Sequence, residues 1–386
     1  MHLSEILTHL GEDREQYFNA VSPPVIQSSN FAFRNFEAFR EAFTDEMAHH
    51  VYTRGNNPTV EILRKKLAAL EGTEDALVTA SGAGATAMAM LAFLKAGDHV
   101  VCVKNPYSWT KSLLLDFLPR FGVAHTFVDG TGTANIAAAI RPETTFLYLE
   151  SPNSMTFELQ DLRACADLAK QHGIVTLIDN SNCSPLFQRP AEYGIDLVMH
   201  TGTKYLNGHS DVVNGVVCGS REMIGKIFHV GAMTLGNIIS PHDAWLIIRG
   251  LRTLELRVQR SYHSAWKIAQ WLESHPKIER VLFPFLPSFP QFELAQTQMT
   301  GCAGLVTVFL KTDDIAGVEA FFNKLQRFLL AVSWGGHESL VVPMAAFYDM
   351  PGREAPAYPF TLVRFYIGLE DPDWLISDLE QALEVI

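Results

Sequence analysis

Lys204 directly follows the apolar run "GIDLVMH" and the residues Thr201-Gly202-Thr203. A lysine at the end of a buried strand can be held out of water, and a desolvated amine can attack an aldehyde. A second apolar run, "GIVTLID", ends in Asp179. A third, "EDALVTA", enters Ser81-Gly82-Ala83-Gly84 at the start of a helical stretch. If the three runs are parallel strands of one sheet, their ends share one rim. That rim then offers an amine, a carboxylate, two hydroxyls and a small-residue loop at a helix N-terminus. The free N–H groups and dipole of such a terminus favour a phosphate. A buried carboxylate can keep a pyridine nitrogen protonated. Aldehyde, phosphate and pyridine nitrogen together describe pyridoxal 5′-phosphate (PLP), which requires a lysine and an acidic partner for its ring.

Each piece alone has a plainer explanation. A lysine after a strand is usually solvated, and Asp179 alone could be a turn or capping residue. Gly82-x-Gly84-x-x-Ala87 also fits a dinucleotide-binding loop. That alternative needs an acidic residue at the end of the next strand. "HVVCV" instead leads into Lys104-Asn105-Pro106, and Asp98 stands at its wrong end. The His49-His50 pair, and His200 with His209, lack the carboxylate or cysteine pattern of a metal site, so no metal is expected.

The elements that must place these residues alternate. From about residue 60, helical stretches such as "VEILRKKLAALEG" interleave with short apolar runs, among them "DHVVCV", "TTFLYLE" and "VVNGVVCGS". This predicts an α/β domain with a mainly parallel sheet, and ligands in such sheets bind beyond the strands' carboxyl ends. After Pro241 a long helical stretch precedes "GLVTVFL", "LVRFYIGL" and a last helix capped by Asp371 with Pro372 in its first turn. The expected organisation is an N-terminal arm over 1–50, a cofactor-binding α/β domain over 51–245 and a smaller α+β domain over 246–386. The 386 residues, 48% of them hydrophobic and 19% charged, describe an ordinary folded chain. A net charge of −12 with no basic stripe argues against nucleic acid as a partner. Five cysteines without C-x-x-C pairing, no signal-like start and no membrane-length apolar run predict a cytoplasmic, non-membrane protein.

Long motifs in order resemble the Cys/Met-metabolism group of PLP enzymes. They include "SPPVIQSSNFAF", "YTRGNNPTVEILRKKLAALEG", "SGAGATAM", "IDNSNCSPLFQRP", "GIDLVMHTGTKYLNGHSDVVNGVV", "SWGGHESL" and "VRFYIGLED". The lysine block is the most specific. The resemblance implies a fold-type I, PLP-dependent transferase-like α/β fold. It implies that Lys204 binds PLP covalently and then moves protons. Asp179 would pair with the ring nitrogen. Ser81, Gly82, Ala83, Thr201 and Thr203 would surround the phosphate, with Ala83 standing where methionine is usual. Tyr107 would stack on the ring and belong to the catalytic set. Tyr52 and Arg54 would reach the cofactor of a neighbouring subunit, so the site would be complete only in a dimer, in a family that is usually tetrameric. Arg364 would grip the α-carboxylate of a small amino-acid substrate, helped by the backbone at Ser333. Independently of the resemblance, a guanidinium in so apolar a strand requires an anionic partner, internal or substrate. Arg249, Arg252 and Arg257 are expected in structural salt bridges.

The type of reaction is less sharply marked. "ESPNSMTFELQD" resembles the corresponding block of bacterial cystathionine β-lyases, with Ser154 where the γ-enzymes place asparagine. Trp334 is also β-lyase-like, and Val332 replaces the glutamate found in many γ-enzymes. Trp109 stands where methionine γ-lyases carry cysteine. "RGNNPT" points the other way, to the γ-enzymes. The expectation is β-elimination from a sulfur amino acid, giving pyruvate, ammonia and a thiol. The alternatives are γ-chemistry of the cystathionine γ-synthase, cystathionine γ-lyase, methionine γ-lyase or O-acylhomoserine sulfhydrylase type and, more remotely, a non-catalytic protein on the PLP fold. With Trp334, Trp109 is expected to narrow the pocket or else to pack in the core.

Overall fold

The computed structural model describes residues 1–348, 350–351 and 356–386. Seven short strands form the first sheet: β1 Asp75–Thr79, β2 His99–Val103, β3 Ala124–Val128, β4 Thr144–Glu150, β5 Val175–Asp179, β6 Leu197–His200 and β7 Gly215–Gly219. Their spatial order is β1-β7-β6-β5-β4-β2-β3. Neighbours from β6 to β3 run parallel, whereas β7 is antiparallel to both β6 and β1. Two reversals restore the direction, so β1 points the same way as β4, β5 and β6. All four therefore end on one rim, as the sequence argument requires.

The near-continuous apolar runs are explained by burial of the sheet on both faces. Val100 and Cys102 pack with Ala85, Met88 and Ala89 of helix Gly82–Phe93, while Val101 and Val103 pack with Leu162, Cys165 and Ala169 of helix Leu162–His172. The two-residue period of a strand sends alternate side chains to opposite helices. Each fully buried side chain of this kind contributes about 1.5–3 kcal/mol.

A second sheet holds β8 Ile278–Leu282, β9 Leu305–Leu310, β10 Leu329–Leu330, β11 Leu340–Pro343 and β12 Leu362–Tyr366, in the order β10-β11-β12-β9-β8. The α/β and α+β expectations both hold. β12 is central and buried at every position, and Arg364 lies between Val342 of β11 and Thr307 of β9. The helix after it, Pro372–Leu383, is capped by Asp371, whose side chain accepts the N–H groups of Asp373 and Trp374. The long helical stretch is two helices, Pro241–Leu251 and Leu254–Glu273.

Two of the three arginines expected in salt bridges, Arg249 and Arg257, make none among the described residues. Arg252 does approach Glu12, at 3.6 Å, and Arg249 is exposed. Buried Arg257 makes no ion pair among the described residues. It donates to the carbonyls of Tyr205 (3.0 Å), in the segment after Lys204, and Gly250 (2.8 Å), at the end of helix Pro241–Leu251. Arg257 thus braces the lysine segment from behind.

Candidate active site

A single cleft on the strand-end rim is lined by Ser81, Gly82, Ala83, Tyr107, Glu150, Ser154, Asp179, Thr201, Thr203, Lys204 and Trp334. Pro152, Ser181, Asn182 and Val213 complete the lining, and ten of the fifteen residues were singled out from sequence. Ser81 caps the helix Gly82–Phe93, accepting the Gly84 N–H at 3.0 Å. The N–H groups of Gly82 and Ala83 have no acceptor among the described residues. Gly82 is obligatory, because a Cβ there would collide with the Thr201 side chain. The Thr201 hydroxyl faces this terminus. Thr203 is already engaged, donating to the Asn214 carbonyl (3.2 Å) and accepting its N–H (3.0 Å).

Lys204 is partly buried, and its Nζ donates to Ser333 Oγ at 2.6 Å. The ammonium also lies over the Trp334 ring, 4.3 Å from its centroid. Burial, then the nearby Arg364 guanidinium, depress the Lys204 pKa to about 8, against the opposing pull of Asp179. Ser333 has a positive φ of 86° and Gly335 one of 87°. A Cβ on Gly335 would stand 2.6 Å from the Lys204 carbonyl carbon and the Tyr205 nitrogen. The "SWGG" turn therefore presses directly on the lysine backbone.

Asp179 accepts the Ser181 N–H at 2.9 Å. Burial raises its pKa, with Ser181 opposing. Arg364 is 6% exposed. It donates to the carbonyls of Ser154 (3.2 Å) and Ser333 (3.4 Å), and Trp334 covers it at 5.0 Å. No carboxylate pairs with it among the described residues. Among the described residues the internal partner left open by the sequence is therefore not found. Burial lowers its pKa to about 10, so it stays charged at neutral pH.

Three expected contributors lie elsewhere. Tyr52 is 47% exposed, and Arg54 is exposed beside its ring at 5.7 Å; neither lines the cleft of its own chain. Trp109 neither narrows the cleft nor packs in the core. It is 64% exposed and borders a separate hollow with Leu113 and Phe117, because the short helix Ser108–Ser112 turns it outward. Val332 is exposed and outside the cleft lining.

Sequence reasoning missed Glu150. It ends β4, is buried, and is the register neighbour of Asp179. Burial, then the Asp179 charge, push its pKa up to about 8. The signal was present: "TTFLYLE" ends in a carboxylate just as "GIVTLID" does. It also missed the buried contact between His200 and Glu71 behind Asp179, which joins residues 129 apart.

These residues fit PLP. The helix N-terminus has free N–H groups, the amine is desolvated with its pKa lowered to about 8, and the buried Asp179 carboxylate in the cleft suits a ring N–H. A sequence profile of the Cys/Met metabolism PLP-dependent enzymes matches residues 4–384. The chain belongs to that family. The enzyme is 40% identical to an L-methionine gamma-lyase of Pseudomonas deceptionensis, over 98% of this chain and 96% of that one. It is 37% identical to the cystathionine gamma-lyase of Homo sapiens, over 99% and 94%. The crystal structure of metB from Corynebacterium glutamicum superposes with a TM-score of 0.92 at 33% identity, covering 100% of this chain and 98% of that one. The enzyme is a PLP-dependent lyase of this group, on the fold-type I scaffold.

The depressed lysine has a measurable consequence. Only the neutral amine attacks an aldehyde. PLP uptake by the apo-enzyme, followed by absorbance, is expected to quicken as pH rises to about 8 and to level off above it. An unmodified lysine would keep gaining up to about pH 10.4.

Proposed function

We propose that the enzyme cleaves a carbon–sulfur bond of a sulfur amino acid by β-elimination, releasing pyruvate, ammonia and a thiol. The observation that carries this reading is Trp334, whose indole lies against both Lys204 and Arg364, 4.3 and 5.0 Å from their charged groups. A substrate held by its carboxylate on Arg364 and presented at Cα to Lys204 meets that indole. Short side chains are thereby favoured. Ser154 in the lining and the distant Val332 support the same reading, since neither offers a charge to a distal ammonium.

Bound PLP supplies the electron sink for a carbanion at Cα. The protein's part follows from its geometry. Arg364 fixes the α-carboxylate with a planar fork already oriented by two carbonyls. Ser333 holds Lys204 Nζ where it can accept the Cα proton. Burial, then Asp179 and Glu150, raise the Tyr107 pKa, so its phenol keeps the proton that a departing thiolate needs. The Asp179 carboxylate would hold the ring nitrogen.

γ-Elimination is the second reading, favoured by the gamma-lyase relatives. One assay separates them. With L-cystathionine, β-elimination yields pyruvate and homocysteine, whereas γ-elimination yields 2-oxobutyrate and cysteine. Predominantly pyruvate is expected. Predominant 2-oxobutyrate, or efficient replacement on an O-acylated homoserine, would overturn the β-choice.

The proposal includes a shared site in a homodimer, of the kind that pairs into tetramers. Its support is that Tyr52 and Arg54 are exposed and remote from their own cleft. Mixing inactive Arg54→Ala with inactive Lys204→Ala subunits is expected to restore activity, since a hybrid dimer holds one intact site. Silence from subunits shown to exchange would exclude sharing. A cytoplasmic setting also belongs to the proposal, supported by five free, buried cysteines. No helix among the described residues is long and apolar enough to cross a membrane.

A further inference from the structure

Glu150 is a buried carboxylate in the cleft to which the mechanism above assigns no contact with substrate. Its Oε2 accepts the Tyr107 N–H at 2.7 Å and its Oε1 accepts the Ser154 N–H at 3.1 Å. Those two residues belong to different loops, after β2 and after β4. Asn153 joins the same loops, donating to the Asn105 carbonyl at 2.8 Å. Tyr107 starts the helix Ser108–Ser112 without a side-chain cap of its own. Ser154 passes the connection on, because its carbonyl accepts from Arg364. An unbroken chain of contacts thus runs from Tyr107 through Glu150 and Ser154 to Arg364.

We propose that Glu150 is a positioning residue of the reaction, whose two oxygens set the Tyr107 wall and the Arg364 grip in register with each other. This rests on the roles read for Tyr107 and Arg364 above. Two N–H donors converging on one side chain require two acceptor oxygens. A glutamine supplies one, and its amide would face an N–H with another N–H. A leucine would leave both donors unpaired in a buried setting. The carboxylate is placed despite an unfavourable setting. Asp179 faces it from β5, Tyr148 and Cys102 lie near it on β4 and β2, and Tyr107 adds no positive charge. A group held against such a cost marks a functional site more often than a packing site.

The test uses the holoenzyme with Glu150→Gln and Glu150→Asp. Glutamine removes one acceptor and the charge. Aspartate keeps the charge but withdraws the carboxylate by one methylene, so it cannot reach both N–H groups. A displacement on the order of 1 Å at the reacting groups costs roughly 100-fold. Both variants are expected to lose about 10- to 100-fold in kcat/KM for L-cystathionine, with part of the loss in KM. The visible circular dichroism of the bound cofactor, which reports how the ring is seated, is expected to change in both. Wild-type KM and dichroism in both variants would overturn the proposal, even if their melting temperatures fell. If the glutamine variant fails to fold, the aspartate variant decides alone on the same two readouts. Absence of a bound chromophore in the wild-type enzyme would instead overturn the reading beneath the proposal, and is seen before any variant is compared.

Discussion

Lys204→Ala is expected to abolish the covalent link to PLP and to reduce turnover by at least about 10⁴-fold, the upper range for a lost general base, before the loss of covalent catalysis is added. The geometry predicts that the pocket survives. Gly335 packs on the Lys204 backbone rather than on its side chain, and the phosphate seat at Gly82 and Ala83 lies on another element. The alanine protein should therefore still take up PLP, with the visible spectrum of a free aldehyde. The check is reduction with borohydride followed by mass measurement. Wild-type protein should gain the cofactor mass on the peptide containing Lys204, and the variant should gain none. A variant that still carries reducible, covalently bound PLP would end the assignment of the lysine.

Arg364→Lys is expected to cost about 2–5 kcal/mol in substrate binding, the range for disrupting a buried, hydrogen-bonded charge pair. Charge alone does not explain the native residue. The Ser154 and Ser333 carbonyls take one donor from each arm of the guanidinium, and the Trp334 ring covers its face. A planar group with five donors can meet both carbonyls and a carboxylate together; a single ammonium cannot. KM for L-cystathionine should rise accordingly, with the cofactor spectrum little changed because Arg364 donates to Ser154 and Ser333 rather than to Asp179, Gly82 or Ala83. Unchanged saturation would place the carboxylate site elsewhere. A collapsed cofactor spectrum would mean that Arg364 organises the cofactor cleft as well.

The contrast between the missed Glu150 and the anticipated Asp179 shows how far local reading reaches. Both end buried strands, and both chemistries were legible from position. Asp179 was found because a lysine and a phosphate seat made sense of it. Glu150 lacked such a partner in the sequence, since its role lies in two backbone N–H groups that one-dimensional order does not bring together. Trp109 failed for a related reason. Its spacing from Tyr107 suggested a shared pocket, but one turn of helix sent it to another surface.

By itself, the sequence determined the alternating strands and helices, the common rim of Lys204, Asp179 and Gly82, and hence the PLP chemistry. These follow from local periodicity and from the rule that parallel strands end together. Tertiary structure alone decided the partners. It placed Ser333 on Lys204 across 129 residues and Ser154 on Arg364 across 210. It left Arg364 without an internal carboxylate among the described residues and set Trp334 against both cations. The physical reason is that hydrogen bonds and desolvation depend on distances of a few ångströms between segments remote in the chain, and no pattern along the sequence encodes those distances.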